Sequence, residues 1–302
     1  MRSSKRHSIF AALSVAGLCF TGGLARADFS IYVEYNPSGI GSIVKYDSLG
    51  NGTAFASGFQ FPEGLVQDSL GNFYLVDEFN ANIVKVPAAG GSGTILAHVS
   101  DPAPYDIAID VSGNLYVANY VFGTITKYSS TGTSLGTFIS SGLSNPDGLA
   151  FDAAGNLYVS SYTGASVKKY DSSGTLLATY TTGSGPQGMT FDSSGNLFVA
   201  LTNLGIVEKF SPTGTDLGAF ISGVTSPTDL AFDPLGNLYV TSWTPSTGSV
   251  LKYSSTGTSL GTFATGGSPT GILIVNNVPE PGSALLLAMA GGTMLGLRRR
   301  RH

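Results

Sequence analysis

Short apolar runs separated by Gly, Ser, Asp and Asn recur along the middle of the chain at a nearly constant spacing. Each unit starts at a proline and contains an apolar run, a D-x-x-G-N turn and a second apolar run, as in "PDGLAFDAAGNLYVSSY" from Pro146. A third run of the type "VKKY" and a weaker fourth run follow. The turn glycines recur at intervals of 42, 42, 40 and 41 residues, at Gly71, Gly113, Gly155, Gly195 and Gly236. This pattern predicts four short strands in each unit.

The repeated aspartate of the turn has a local explanation. Its carboxylate can accept backbone N–H groups within the turn, and the glycine supplies the positive φ that the turn needs. Calcium binding is the alternative for a repeated aspartate, but turn chemistry repeated with each unit explains the pattern better. The aspartates concerned are Asp68, Asp110, Asp152, Asp192 and Asp233.

The two ends of the repeat region are complementary. Residues 31–46 supply second and third strands with no first strand before them, and residues 269–275 supply a first strand with no second strand after it. The two halves complete one unit, which favours a closed ring over an open solenoid. We therefore predict an all-β fold, a six-bladed β-propeller of four-stranded blades closed by N- and C-terminal strands that share one blade.

The segments outside the repeats differ from them in composition. Residues 1–27 have a basic start, an apolar stretch and the small residues Ala25 and Ala27, which predict a signal peptide cleaved before Asp28. An uncleaved signal anchor is the alternative. Residues 278–302 include an apolar stretch over 283–297, which as a helix is ~22 Å long against a hydrocarbon core of ~30 Å. The sequence thus predicts a propeller over residues 28–277 and a short hydrophobic helix at each terminus.

The charge balance of residues 28–281, called the body below, limits the kinds of molecule that the protein can bind. Between residues 28 and 281 there are seven lysines, no arginine and all nineteen acidic residues, a net charge of −12. Such a body repels phosphate backbones, so we expect no nucleic-acid binding. The single cysteine, Cys19, lies in the first segment, so the mature body depends on its core, which a chain of this length can build. We expect a monomer.

Polar residues that vary between blades are predicted to share one face of the ring. The loops that enter the first strand and leave the second strand of each blade meet there, around the central channel. Carboxylate and amide oxygens that converge in this way suit a hard cation, so Ca²⁺ or another divalent metal at the pore is one hypothesis. The alternative is a set of acidic loops that solvate the rim. The candidate metal ligands are Glu63, Asp106, Asn119, Asp147 and Asp229.

The same face carries aromatic residues at the ends of second strands. Their rings could form a platform for a sugar or a peptide, and packing at the rim is the alternative. The candidate ligand-binding residues are Tyr120, Tyr162, Trp243 and Gln187.

The unit P-x-G-L-A-F-D-x-x-G-N-L-Y-V with its trailing V-x-K-Y resembles NHL-type repeats over about residues 29–275. It is also similar to the six-bladed propellers of the virginiamycin B lyase and gluconolactonase groups. The gluconolactonase resemblance implies a divalent metal held by Glu, Asn and Asp near the pore, for which Glu63 and Asn119 are the matches. The lyase resemblance implies a histidine at the pore face, and no matching blade position here is histidine. The resemblance is specific for the fold and weak for activity.

The C-terminal segment closely resembles the PEP-CTERM sorting signal, with triplet, apolar span and arginine cluster in order. The resemblance implies export in a Gram-negative bacterium, transient inner-membrane anchoring with the arginines cytoplasmic, and processing by an exosortase-type enzyme. The mature protein is then expected at the cell surface or secreted. The motif residues are Pro279, Glu280, Pro281, Arg298, Arg299, Arg300 and Arg301.

Three functions fit these observations. The first is a binding or scaffold module of the surface or extracellular matrix, with an exopolysaccharide or a protein as its ligand. The second is a metal-dependent lactonase or hydrolase with the acidic residues near the pore. The third is a structural matrix protein without a defined ligand. No cofactor is established by the sequence.

Overall fold

The computed structural model describes residues 28–36 and 40–277 and is all-β there. These residues form twenty-four strands in six four-stranded sheets, which confirms the predicted six-bladed propeller. The expected terminal helices, the cleavage residues Ala25 and Ala27, and the segment 278–302 lie outside the described residues. Within the described part, no helix has the length and hydrophobicity needed to cross a membrane.

The strands are short and evenly distributed along the chain. The first eight are β1 (Phe29–Tyr35), β2 (Gly41–Tyr46), β3 (Gly52–Phe59), β4 (Pro62–Gln67), β5 (Phe73–Asp77), β6 (Asn82–Val86), β7 (Thr94–His98) and β8 (Pro104–Ile109). The next eight are β9 (Leu115–Asn119), β10 (Thr124–Tyr128), β11 (Ser134–Ile139), β12 (Pro146–Phe151), β13 (Leu157–Ser161), β14 (Ser166–Tyr170), β15 (Leu176–Thr181) and β16 (Pro186–Phe191). The last eight are β17 (Leu197–Leu201), β18 (Ile206–Phe210), β19 (Asp216–Ser222), β20 (Pro227–Phe232), β21 (Leu238–Ser242), β22 (Ser249–Tyr253), β23 (Ser259–Thr265) and β24 (Pro269–Asn276).

The ring is closed by its own ends. Blade 1 has the order β24-β1-β2-β3, whereas blades 2 to 6 each use four consecutive strands. β1 and β24 are antiparallel, with Phe29 opposite Asn276 and Ile31 opposite Ile274. The N–H of Asn277 donates to the carbonyl oxygen of Asp28 at 2.9 Å. Asp28 and Asn277 therefore lie side by side, as the complementary halves predict.

The D-x-x-G-N turns join the first and second strands of blades 2 to 6. In blade 4, Asp152 Oδ1 accepts the N–H groups of Ala154 and Asn156 at 3.0 and 2.9 Å. Gly155 has a φ of 81°, which a residue with a side chain adopts only with strain. The other four turns repeat these bonds, which confirms that the repeated aspartates organise turns.

The core lies between neighbouring blades. The ring of Tyr116 in β9 meets the edges of Phe138 in its own blade and Phe151 in the next, with centroids 4.9 and 5.1 Å apart. Lys127 Nζ lies 4.7 Å from the Tyr116 centroid and 3.5 Å from Asp110 Oδ2. The third-strand lysines of all six blades lie over second-strand rings in this way: Lys45, Lys85, Lys127, Lys169, Lys209 and Lys252. The repeat thus keeps six of the seven lysines of the body away from the channel.

Candidate functional site

The first strands of the six blades surround the channel in equivalent registers. The residue after the initial proline of each strand therefore lines one cavity at the end of the channel where these strands begin, a surface called the pore face below. The cavity has a volume of about 480 Å³. The six wall residues are Glu63, Tyr105, Asp147, Gln187, Thr228 and Thr270.

Aromatic and polar residues from the strand ends complete the cavity. Phe61, Glu78 and Trp243 are among them. The wall residue Tyr105 stacks on Tyr120, with ring centroids 4.3 Å apart and planes inclined by 21°. The rings of Tyr105 and Trp243 therefore border a cavity that also contains carboxylates.

The predicted ligand-binding residues differ in how close they come to this cavity. Gln187 and Trp243 line it, whereas Tyr120 does not line it and stacks on the wall residue Tyr105. Tyr162 lies farther out, with its centroid 6.4 Å from that of Tyr120, and its hydroxyl donates to Asn203 Oδ1 at 3.0 Å. Tyr162 is not among the residues that line the cavity.

Asp106 and Asp229 connect neighbouring blades. Asp106 Oδ1 accepts the N–H of Ile107 at 2.7 Å, and its Oδ2 accepts the N–H of Leu149 in the next blade at 2.6 Å. Asp229 repeats the arrangement with Leu230 at 2.8 Å and Ile272, in blade 1, at 2.9 Å. These carboxylates join blade 3 to blade 4 and blade 6 to blade 1. They line a second cavity of about 270 Å³, and their oxygens are already engaged by backbone donors.

Glycine occupies the position of Asp106 and Asp229 in the other four blades, at Gly64, Gly148, Gly188 and Gly271. The missing side chains make room for neighbouring groups. A Cβ on Gly64 would lie 2.0 Å from Asp106 Oδ1, and a Cβ on Gly188 would lie 2.4 Å from Asp229 Oδ1. Each linking aspartate thus sits against a glycine of the preceding blade.

Glu34 is a channel carboxylate that sequence reasoning missed. It lies in β1 with none of its surface exposed, and no described residue donates a hydrogen bond to either of its carboxylate oxygens. Its Oε2 occupies the space beside Gly271, where a Cβ would be 2.2 Å away. In the sequence, only the presence of an acidic residue in the mostly apolar run "FSIYVEY" could have indicated it.

Burial makes this set of carboxylates weakly acidic. Burial and then the charge of Asp229 raise the pKa of Glu34 well above its usual range, and burial and then Glu34 do the same for Glu63. Burial also raises the pKa of Asp147 to about 7, although the Gln187 amide, 3.3 Å away, partly offsets the rise. The pKa of Asp229 rises to about 6 for the same reason, against the opposing effect of its backbone donors.

Among the residues that the structure describes, no basic side chain lines the pore-face cavity. None of the twelve residues that line the cavity is Lys, Arg or His. The body has no arginine, six of its lysines lie over second-strand rings, and Lys168 donates to the carbonyl oxygen of Gly142. The only histidine of the body, His98, lies in the outer strand β7. The cavity therefore favours protons or a cationic ligand.

The residues present do not fit the divalent metal that the gluconolactonase resemblance implies. Asn119 Oδ1, the atom that would bind a metal, has no donor among the described residues, but Asn119 lines neither cavity. Glu63 and Asp147 line the pore-face cavity, whereas Asp106 and Asp229 are used to link blades. Within residues 28–36 and 40–277, no group of three or more His, Cys, Asp or Glu side chains is spaced to hold a metal ion.

The unpaired carboxyl of Glu34 predicts a stabilising substitution. We expect Glu34→Met to raise the free energy of unfolding by ~1–3 kcal/mol, because an apolar side chain of similar length removes the cost of burying an unpartnered carboxyl. Urea unfolding at neutral pH measures this. The control is Glu208→Met, since Glu208 is also buried but accepts the N–H of Gly183 at 3.4 Å. A destabilised Glu34→Met protein, with Glu208→Met unchanged, would contradict the assignment of Glu34 as unpaired.

Comparison with known proteins supports the fold and part of the family resemblance. The model of the SMP-30/gluconolactonase/LRE-like region matches residues 178–244. No curated protein sequence matches the chain significantly.

Several solved structures share the propeller fold. The structure of a nidogen–laminin complex contains a chain with 22% identity and a TM-score of 0.70, over 82% of this chain and 98% of that one. A protein of unknown function from Bacteroides caccae has 15% identity and a TM-score of 0.64, over 83% and 100%. A virginiamycin B lyase from Staphylococcus aureus has 14% identity and a TM-score of 0.54, over 73% and 71%. At these identities the likeness concerns the fold alone.

Proposed function

We propose that the protein is an exported module that binds a carbohydrate in its pore-face cavity. The observation that carries this proposal is the combination of Tyr105 and Trp243 rings with Glu63, Asp147 and Gln187 around one cavity. Sugars expose C–H faces that pack on aromatic rings, and hydroxyl groups that bond to carboxylates and amides. A few polar groups placed among apolar walls are typical of small-ligand sites.

The lactonase or hydrolase alternative has less support. The carboxylates do not fit the metal that such chemistry needs, and His98, the only histidine of the body, lies away from the channel in an outer strand. Absence of glycan binding would favour a protein ligand or a purely structural role in the matrix. The propeller fold is compatible with each of these functions, because proteins of this fold have many unrelated functions.

Export forms part of the proposal. The basic and apolar start of the chain, the residues Pro279 to Pro281 and the arginines at 298–301 support secretion and sorting by a PEP-CTERM and exosortase system in a Gram-negative bacterium. The paired ends Asp28 and Asn277 leave the ring on the side opposite the pore-face cavity. A protein held by its C-terminal segment in the inner membrane, and later at the cell surface, then presents the cavity outward.

A glycan array with the full-length chain, followed by calorimetric titration of each hit, tests the binding role. We expect Trp243→Ala to weaken binding about tenfold or more, because it removes a ring of the cavity. Phe122→Ala is the matched control, since Phe122 is an exposed aromatic residue that does not line the cavity. Absence of any glycan hit, or equal losses in both variants, would refute carbohydrate binding in this cavity.

A further inference from the structure

We infer that the ligand of the pore-face cavity is a cationic glycan, a sugar polymer whose 2-amino groups are free and protonated. This inference rests on the proposed carbohydrate-binding role and names the class of sugar. Glu63, Glu78 and Asp147 line the cavity together, and none of the described residues that line it carries a positive charge. Burial raises the pKa of Glu63 and of Asp147, which favours the protonated carboxyls. An ammonium group is the sugar substituent that can take the place of their protons as the positive charge.

Buried hydrogen-bond acceptors that lack a donor also favour a ligand with N–H groups. Asn36 lines the cavity with 8% of its surface exposed, and no described residue donates to its Oδ1. Behind the wall, both oxygens of Glu34 also lack a donor, and Oε2 lies beside Gly271, the residue that follows the cavity-lining Thr270. Buried polar atoms without partners are rare in native proteins. Because Asn36 Oδ1 is an acceptor at the cavity wall, a ligand that completes the site must bring an N–H or O–H donor to it.

An ammonium group matches the site better than a bare metal ion. A divalent cation needs several oxygens converging within about 2.0–2.6 Å of one point. The described carboxylates include no such group of three. An ammonium has three N–H donors, and on a sugar ring it is surrounded by hydroxyl groups, so its bonds can reach acceptors that are spread around a cavity of about 480 Å³. Such charge-assisted bonds are about twice as strong as neutral ones.

The remaining walls favour a sugar over a basic peptide. Tyr105 and Trp243 contribute aromatic rings to the cavity, and such rings attract both C–H groups and cations. Gln187, Thr202 and Thr228 contribute an amide and two hydroxyl groups to the same cavity. They already bond to neighbours in the wall, as Gln187 does to Asp147 and Thr202 does to the carbonyl oxygen of Pro227. Their remaining lone pairs can accept the hydroxyl groups of a sugar ring, which the methylene stem of a lysine does not supply.

The test uses the full-length protein and three oligosaccharides of equal length. The first is a β-1,4-linked glucosamine hexamer, the second its fully N-acetylated counterpart, and the third the glucose hexamer without nitrogen. Calorimetric titration at near-neutral pH and fixed ionic strength gives each Kd. We expect the glucosamine hexamer to bind at least about tenfold more tightly than either neutral hexamer.

Two substitutions assign this preference to the cavity. Glu63→Gln and Asp147→Asn remove charge while keeping shape, and each is expected to reduce the preference for the amine about tenfold. The control is Asp216→Asn, because Asp216 is an exposed acid at the start of the outer strand β19. Circular dichroism melting of each variant checks that it is folded. Should both cavity variants fail to fold, Glu78→Gln takes their place, since Glu78 lines the same cavity.

The outcomes separate this inference from the function on which it rests. Equal affinity for the three hexamers, or an amine preference that the cavity variants leave intact, overturns the cationic class while carbohydrate binding stands. Binding of a lysine hexapeptide as tight as that of the glucosamine hexamer assigns the cavity to basic peptides and also overturns the inference. Absence of binding to all glycans overturns both proposals.

Discussion

Replacing Gly188 with alanine is expected to destabilise the folded protein by ~3 kcal/mol or more. A Cβ there would lie 2.4 Å from Asp229 Oδ1, 2.6 Å from the Thr228 carbonyl oxygen and 2.7 Å from the Asp229 Cα. Two of these three atoms belong to the backbone of β20, so relief of the clash requires blades 5 and 6 to separate. Denaturant unfolding monitored by tryptophan fluorescence measures the loss, because Trp243 is the only tryptophan.

Gly155→Ala is the control for this prediction. Gly155 has a φ of 81°, and apart from its own chain neighbours no atom lies within 4 Å of the position that a Cβ would take. Alanine there meets backbone strain but no clash. We expect a cost of ~1 kcal/mol for that variant. Equal stabilities of the two variants would contradict the close approach of blades 5 and 6 at the channel.

The second large effect concerns pH. We expect the free energy of unfolding to fall as the pH rises from about 4 to about 8, with Asp147 alone contributing on the order of 4 kcal/mol. Burial raises the pKa of Asp147 to about 7 in the folded protein and that of Asp229 to about 6. A carboxyl with a raised pKa holds its proton more tightly in the folded state. Its contribution is therefore complete below the unfolded pKa near 4 and is lost as the pH rises through the folded value.

Protonation of the turn aspartates lowers the free energy of unfolding at acidic pH, the opposite of the effect of the channel carboxyls. Partial burial raises the pKa of Asp152, but hydrogen bonds from Asn156 and the nearby Lys169 outweigh it, so the net pKa is lowered. Turns of this kind lose their contribution as the pH falls below about 4. Together, the two classes of carboxyl predict a stability maximum at mildly acidic pH.

Urea unfolding midpoints measured between pH 3 and pH 9 test this profile. Asp147→Asn provides the comparison, because it removes a carboxyl with a raised pKa and should flatten the decline above pH 5. Stability that increases between pH 5 and pH 8 would mean that the channel carboxylates are ionised and well solvated in the folded protein.

Two pairs of acidic residues have different roles that the sequence alone could not distinguish. Glu63 and Asp147 follow the first-strand proline directly, and Asp106 and Asp229 follow it one residue later. In the sequence all four are variable acids near the pore face. In the structure, the first pair lines the pore-face cavity, and the second pair accepts backbone N–H groups of the next blade. A shift of one residue along a strand reverses the direction of the side chain, and only the packed ring shows what it meets there.

The environment of Glu34 is a second feature that the sequence alone could not predict. Its carboxylate fits beside the channel only because residue 271 is glycine. These two residues are brought together by the closure of the ring, in which β1 pairs with β24. A local pattern around Glu34 contains no information about a residue at the other end of the body.

The sequence by itself determined the number of blades, the four strands in each, the turns between them and the shared closing blade. These features depend on strand alternation and turn chemistry, which act over a few residues and repeat about every 41 positions. The tertiary structure alone decided which carboxylates share a cavity, which ones link blades, and that the fully buried Glu34 has no hydrogen-bond donor among the described residues. Those properties depend on contacts between blades, where the partner atom lies some forty or more residues away and its position is set by how the blades pack.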